Sequence, residues 1–221
     1  MKGGINVNSS PPLQVKVWGD FACFTRPEMK VERMTYPVMT PSAARGILEA
    51  IFWKPEFQWR IREIWVLNPI KHFSILRNEI NSRQSHASAA AMGGHYFADE
   101  DRAQRHSLVL RDVAYVIKAD VEPNQPGEAE KAEYRDRFRQ RVQRGQCLHR
   151  PYLGCREFAA DFCVPDGSEK PQRLSDDLGL MLFDLDYRSD CTGGEPRFFN
   201  ARLENGVLQV PAELYRKVGG A

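Results

Sequence analysis

Thr40-Pro-Ser-Ala-Ala-Arg-Gly-Ile-Leu-Glu-Ala-Ile-Phe-Trp-Lys-Pro55 carries both the start and the stop of one helix, and the fold follows from what flanks it. Thr40 or Ser42 can accept a hydrogen bond from a backbone N–H of the first turn. Pro41 suits that turn, where its missing N–H would have no partner anyway. Over Ser42–Phe52 the spacing puts Ala44, Ile47, Leu48 and Ile51 on one face, and Lys54-Pro55 stops the run. Upstream, Leu13-Gln-Val-Lys-Val-Trp18 alternates apolar and polar residues, as a half-buried strand does. Gly19-Asp20 is expected to interrupt it, with Phe21-Ala-Cys-Phe24 continuing past a bulge, and Glu32–Val38 predicts a short second strand. Downstream, Phe57, Trp59 and Ile61 alternate with Gln58, Arg60 and Arg62. The apolar phase then shifts to Ile64 and Val66, as one extra residue in a bulge requires.

Lys71–Ile80 and Ser107–Asp120 are further strands, the second with Val113, Tyr115 and Ile117 on one face. Residues 81–105 between them are rich in Ser, Ala and Gly, and read as a long loop. Pro123–Gly127 is a linker. Glu128–Arg144 is a second helix, with Tyr134, Phe138 and Val142 at i, i+4 and i+8 and Gly145 as its stop. Short β-like segments follow at Glu157–Val164, Leu178–Tyr187, Arg197–Leu203 and Val207–Val210. Glu204-Asn-Gly206 is a strong hairpin signal. The class is α+β. The first part matches the split β-α-β layout of ferredoxin-like domains. The expected division is a disordered lead-in over residues 1–12, a domain over 13–145 with 81–105 as its insertion, and a small, mostly β part over 146–221.

Of the 221 residues 42% are apolar and 27% charged, enough apolar surface for a real core. No apolar run approaches the ~18–20 residues of a membrane span, and the first twelve residues have no signal-peptide stretch. Cys23, Cys147, Cys155, Cys163 and Cys191 are an odd number without a Cys-x-x-Cys. That pattern suggests neither a disulfide framework nor a zinc site, and places the protein in the reducing cytoplasm. Formal net charge is only +2. Between Lys131 and Arg150, however, seven basic residues (Lys131, Arg135, Arg137, Arg139, Arg141, Arg144, Arg150) face two acidic ones, Glu133 and Asp136, a net +5. A basic stripe on a near-neutral chain is the footprint of a surface for a polyanion.

The common catalytic signatures are missing: there is no Gly-rich phosphate loop ending in Gly-Lys-Ser/Thr, no Gly-x-Ser-x-Gly and no His-Glu-x-x-His. His72, His86, His95, His106 and His149 lack ligand spacing and read as surface residues. No metal and no cofactor is expected. What remains is metal-free chemistry on RNA, in which a 2′-OH attacks the adjacent phosphate. The protein then supplies a positioning or basic group, a cation for the crowded phosphorane and an acid for the leaving oxygen. The second helix offers Lys131, Tyr134 and several arginines. Its plainer reading is a solvated charged face with Tyr134 packed beside Phe138, and composition leaves both open.

Four blocks are more specific: Val17-Trp-Gly-Asp-Phe-Ala-Cys-Phe-Thr-Arg-Pro-Glu-Met-Lys-Val-Glu32, Pro41-Ser-Ala-Ala-Arg-Gly-Ile-Leu-Glu-Ala-Ile-Phe-Trp-Lys-Pro55, Arg144-Gly-Gln-Cys-Leu-His-Arg-Pro-Tyr-Leu-Gly-Cys-Arg-Glu-Phe158 and Asp177-Leu-Gly-Leu-Met-Leu-Phe-Asp184. With Glu204-Asn-Gly-Val-Leu208 they resemble the Cas-five family of CRISPR-associated proteins, in its subtype I-C branch, over nearly the whole chain. The resemblance implies a RAMP protein with an RRM-like ferredoxin fold followed by a small, mostly β C-terminal part. It implies an endoribonuclease that cuts the CRISPR precursor transcript within the repeat, without metal. Cutting leaves a 5′-OH and a 2′,3′-cyclic phosphate. It also implies that the protein stays bound to the crRNA 5′ handle among the other Cascade subunits of subtype I-C. A non-catalytic crRNA-binding and assembly subunit is the alternative.

The family pattern has an aromatic residue, often Tyr, or His just before Trp-Lys-Pro, and a Lys-His pair at the start of the second helix. Here Phe52 and Glu133-Tyr134 stand at those positions. Tyr134 is therefore the candidate catalytic residue and Lys131, one turn earlier, the candidate phosphate-side cation. The neighbouring arginines are expected to favour the Tyr134 phenolate. Candidate RNA contacts are Arg137, Arg141 and Arg144 on the second helix, with Arg45 and Arg156 from the matching blocks. Residues 81–105 are expected to order against RNA or a neighbouring subunit.

Overall fold

The computed structural model describes residues 11–29, 31–81, 99–125, 127–186 and 194–216. In chain order these form β1 (Leu13–Ala22), α1 (Pro41–Ile51), β2 (Phe57–Val66), β3 (His72–Ile80), β4 (Arg102–Pro123), α2 (Glu128–Gln143), β5 (Asp161–Cys163), β6 (Asp176–Asp186), β7 (Glu195–Glu204), β8 (Val207–Gln209) and the short α3 (Glu213–Arg216). The strands join one antiparallel sheet in the order β5-β1-β4-β2-β8-β7-β6, with β3 paired to the first half of β4.

Periodicity explains most of this. Leu13, Val15 and Val17 alternate inward along β1, and Ala44, Ile47, Leu48 and Ile51 form the buried face of α1. Tyr134, Phe138 and Val142 bury the matching face of α2, where Phe138 meets Trp59 of β2 edge-on at 4.8 Å. Each such apolar side chain taken from water contributes about 1.5–3 kcal/mol. Thr40 caps α1, its hydroxyl accepting from Ala43 N–H at 3.2 Å. The β2 bulge lies between Ile61 and Glu63, leaving Arg62 out of the backbone register with β4, though its side chain pairs with Asp120 of β4, and returning Ile64 and Val66 to the core. Asn205 and Gly206 both have positive φ, as a two-residue hairpin turn demands.

Several expectations need correction. Gly19-Asp20 does not interrupt β1. A Cβ on Gly19 would lie 2.7 Å from a Leu153 methyl and 2.9 Å from Ala159 O, so the glycine admits a crossing segment. Glu32–Val38 makes isolated bridges, not a strand. Its amides split between two neighbours, Thr35 N–H to Leu108 O and Tyr36 N–H to Phe24 O. The 81–105 loop is shorter than expected, because residues 102–105 belong to β4; this part of β4 alternates only between exposed and half-buried positions, so no apolar pattern marks it. Residues 82–98 of that loop and residues 1–10 of the lead-in lie outside the described residues. Of Glu157–Val164 only Asp161–Cys163 is strand.

Candidate nucleic-acid interface

The end of α1 is where separate parts of the chain converge. The last helical carbonyls have no partners within the helix, and three elements supply them. Ala50 O accepts from Leu148 N–H at 2.7 Å, and Ile51 O accepts from Arg141 Nε at 2.7 Å. Just past the helix, Phe52 O accepts from Trp59 Nε1 at 3.0 Å. These bonds bring α2 and the 144–150 segment against the α1–β2 connection.

Three rings meet there at tilted angles. Phe52 and Phe57 lie 5.4 Å apart between centroids, and Tyr134 sits 6.4 Å from Phe52 and 5.1 Å from Phe57. The aromatic at position 52 and Tyr134, far apart in the chain, are thus brought together. Tyr134 is only 8% exposed. Partial burial, then the carboxylates of Glu56, Glu130 and Glu133, push its phenol above the ordinary value, with Arg137 opposing weakly. The expectation that arginines favour the phenolate is overturned. The Arg137 guanidinium is held 2.6 Å from the Glu133 carboxylate, whose charge opposes its field at the ring. The Tyr134 hydroxyl therefore keeps its proton at neutral pH.

The expected cations are differently placed. Lys131 is half-buried on α2 and, among the described residues, pairs with no carboxylate. Arg144 ends α2 exposed and without an ion pair among the described residues. Arg141 spends its Nε on Ile51 O. Arg45 is held by Glu49 at 2.8 Å and Asp184 at 2.6 Å, tying α1 to β6. Arg156 is exposed beside Arg33 and Cys155, on the wall of an open cleft of about 530 Å³. Arg137, Arg141 and Arg144 share α2, whereas Arg45 and Arg156 belong to other surroundings. Arg135 is nearly fully buried, its guanidinium donating to Pro11 O.

Lys54 was missed as a site residue. Its ammonium lies 5.3 Å from the centre of the Tyr134 ring. Its signal was the Trp53-Lys54-Pro55 block itself, read only as a helix stop. No group of three or more His, Cys, Asp or Glu among the described residues could hold a metal ion. No helix among them is long and apolar enough to cross a membrane.

The family described as CRISPR-associated protein (Cas_Cas5), in its Cas5d form, matches residues 13–211. A CRISPR pre-crRNA endoribonuclease Cas5d of Thermus thermophilus is 46% identical over 223 residues, covering 93% of this chain and 94% of its own. The protein of the same name from Mannheimia succiniciproducens is 45% identical over 216 residues, covering 90% and 94%. Among solved structures, a CRISPR-associated protein superposes with a TM-score of 0.66 at 22% identity, over 93% of this chain and 94% of its own. A functionally uncharacterized protein from Streptococcus mutans gives 0.65 at 21% identity over the same shares. At such identities the two structures speak to the fold alone.

Proposed function

The chain belongs to the Cas5d family of CRISPR-associated proteins, and from that membership we propose that it is a pre-crRNA endoribonuclease acting within the CRISPR repeat. The observation that carries the reading is the near full-length identity of 45–46% to two proteins of that name. The cut is metal-independent. The 2′-OH attacks the adjacent phosphorus and gives its proton to solvent water, the P–O5′ bond breaks, and the 5′ oxygen takes up a proton from Tyr134. Products are a 2′,3′-cyclic phosphate and a 5′-OH. Tyr134, held protonated, donates to the leaving oxygen and is reprotonated from solvent, and Lys131 neutralises the phosphorane, with Lys54 over the Tyr134 ring. Of the proposed RNA contacts, Arg144 and Arg156 have no carboxylate partner among the described residues, whereas Arg137, Arg141 and Arg45 reach a phosphate only by giving up Glu133, Ile51 O, and Glu49 and Asp184.

The proposed fold is RRM-like and ferredoxin-like, followed by a small, mostly β C-terminal part. Support comes from the lateral order β5-β1-β4-β2 flanking the chain order β1-α1-β2-β4-α2-β5, with β3 as an added strand. In this reading the protein is cytoplasmic and stays on the crRNA among the other subtype I-C Cascade subunits. A second reading, binding and assembly without catalysis, is favoured by Phe52, which has no ionisable group, and by the shielded Tyr134.

One assay separates the two. Purified protein is incubated with its cognate repeat RNA in EDTA, and a single cut with a cyclic-phosphate end is expected. Full cleavage in magnesium with none in EDTA overturns the chemistry. Tight binding with no cut under either condition supports the second reading.

A further inference from the structure

Trp53 sits between α1 and β2 and is 50% exposed, the most exposed of the four tryptophans. An indole left half in water forgoes apolar burial that its neighbour Trp59 obtains in full. Trp53 rims a cavity of about 420 Å³ whose wall includes Phe57, Arg60 and Asn124. Phe57 lines this cavity and also lies 5.1 Å from the Tyr134 ring, so the cavity adjoins the proposed cleavage site.

The charges of the cavity decide what enters. Its guanidiniums, Arg45 and Arg60, are already engaged, Arg45 by Glu49 and Asp184 and Arg60 by Glu122 at 3.1 Å. Two cations against three carboxylates leave a net charge of −1, which repels a phosphate. A neutral, planar, hydrogen-bonding group meets no such penalty. Asn124 donates its amide to Pro55 O at 2.7 Å, which leaves its Oδ1 free to accept, and Arg60 Nε is buried without a partner. Lys54, Lys131 and Arg144, which have no ion pair among the described residues, belong instead to the α1–α2 side.

We infer that the cavity behind Trp53 takes one nucleobase of the RNA, turned out of its strand and stacked on the indole beside the scissile phosphate, with the phosphate kept outside. The inference rests on the proposed function and adds to it a base-reading subsite. Stacking on an aromatic ring contributes about 1–3 kcal/mol per base and tolerates sequence. The polar groups on the wall supply any preference among bases.

The test uses full-length protein and repeat RNA carrying a 2′-deoxy residue at the cut, so that binding is read without cleavage. Single abasic residues are scanned through the RNA against wild type, Trp53→Phe and Trp53→Ala. Trp53→Ala should weaken binding roughly 5- to 150-fold and Trp53→Phe much less. At one abasic position the wild type should lose the same factor while Trp53→Ala loses nothing more. 2-Aminopurine at that position should be quenched on binding to wild type, a readout that needs no variant to fold.

Losses that multiply at every position, or no quenching anywhere, overturn the inference. Unchanged RNA affinity of Trp53→Ala with weakened assembly would assign the indole to a protein partner and likewise overturn it. Specific RNA binding without coupling removes the subsite alone. A wild type with no preference for repeat RNA removes the proposed function and the subsite with it.

Discussion

Tyr134 keeps its phenolic proton at neutral pH, a state suited to donating a proton rather than taking one. Its shielding and three nearby carboxylates raise the phenol above its ordinary value of about 10. The donor form therefore persists through neutral and mildly alkaline pH and is lost only as pH climbs past that value. Tyr134→Phe keeps the ring contacts with Phe52 and Phe57 but removes the hydroxyl. Cleavage should fall ~10²-fold or more, with RNA affinity and melting temperature unchanged. Wild-type cleavage by Tyr134→Phe, measured at single turnover, would move the search to Lys54 and His149. The same kind of local reading applies to Cys155. Its thiol donates to Cys23 O at 3.7 Å and its sulfur accepts from Arg33 at 3.2 Å; the neighbouring Cys23 thiol, then Arg33, hold it below the ordinary thiol range against the opposing effect of burial. Cys23, its partner in that pair and itself buried, is pushed up. At pH 7 iodoacetamide should thus alkylate Cys155 before Cys23, and Arg33→Ala should slow the labelling. Peptide mapping that finds Cys23 modified first would contradict this order.

The basic character of α2 is an element-scale property that its contacts divide. Arg137 and Arg139 are spent on Glu133 and Asp136, and Arg141 on the end of α1. Lys131 and Arg144 are left for a phosphate. Each of Lys131→Ala and Arg144→Ala should reduce the salt slope of RNA binding by roughly one unit. Arg141→Ala should act mainly on stability. It removes a charged donor from a half-buried carbonyl, a loss of about 1.5–3 kcal/mol readable by urea unfolding. A large salt-slope change from Arg141→Ala with unaltered stability would reverse that division of labour.

At the scale of the whole molecule, residues 146–221 do not form a sheet apart. They supply β5 to one edge, next to β1, and β8, β7 and β6 to the other, next to β2. Unfolding should accordingly show one calorimetric transition. Two separate transitions would instead support a division at 145/146. Gly206 is a point where the two parts meet: its carbonyl accepts from Val66 N–H, its φ is 78°, and a Cβ there would lie 2.2 Å from Gln172 O. Gly206→Ala should lower that single melting temperature. At this chain length each kcal/mol lost is worth about 2–4 °C.

Periodicity and turn chemistry are local, so the sequence alone determined α1 with a cap at Thr40 or Ser42, α2 and its buried stripe, the β2 bulge and the Asn205-Gly206 turn; the structure chose Thr40 as the cap. The long blocks quoted above likewise determined the family. Partner choice is not local. The Glu32–Val38 segment alternates like a strand, yet divides its hydrogen bonds between two neighbours. Gly19 looks like a break, yet exists for a segment more than 130 residues away. A charge sum over a window cannot see that Glu133 holds Arg137 or that a helix end holds Arg141. Only the tertiary structure decided which cations stay free, which proton Tyr134 keeps and which tryptophan faces open space. Each depends on what lies across the fold, where fields and contacts act over a few ångströms regardless of distance along the chain.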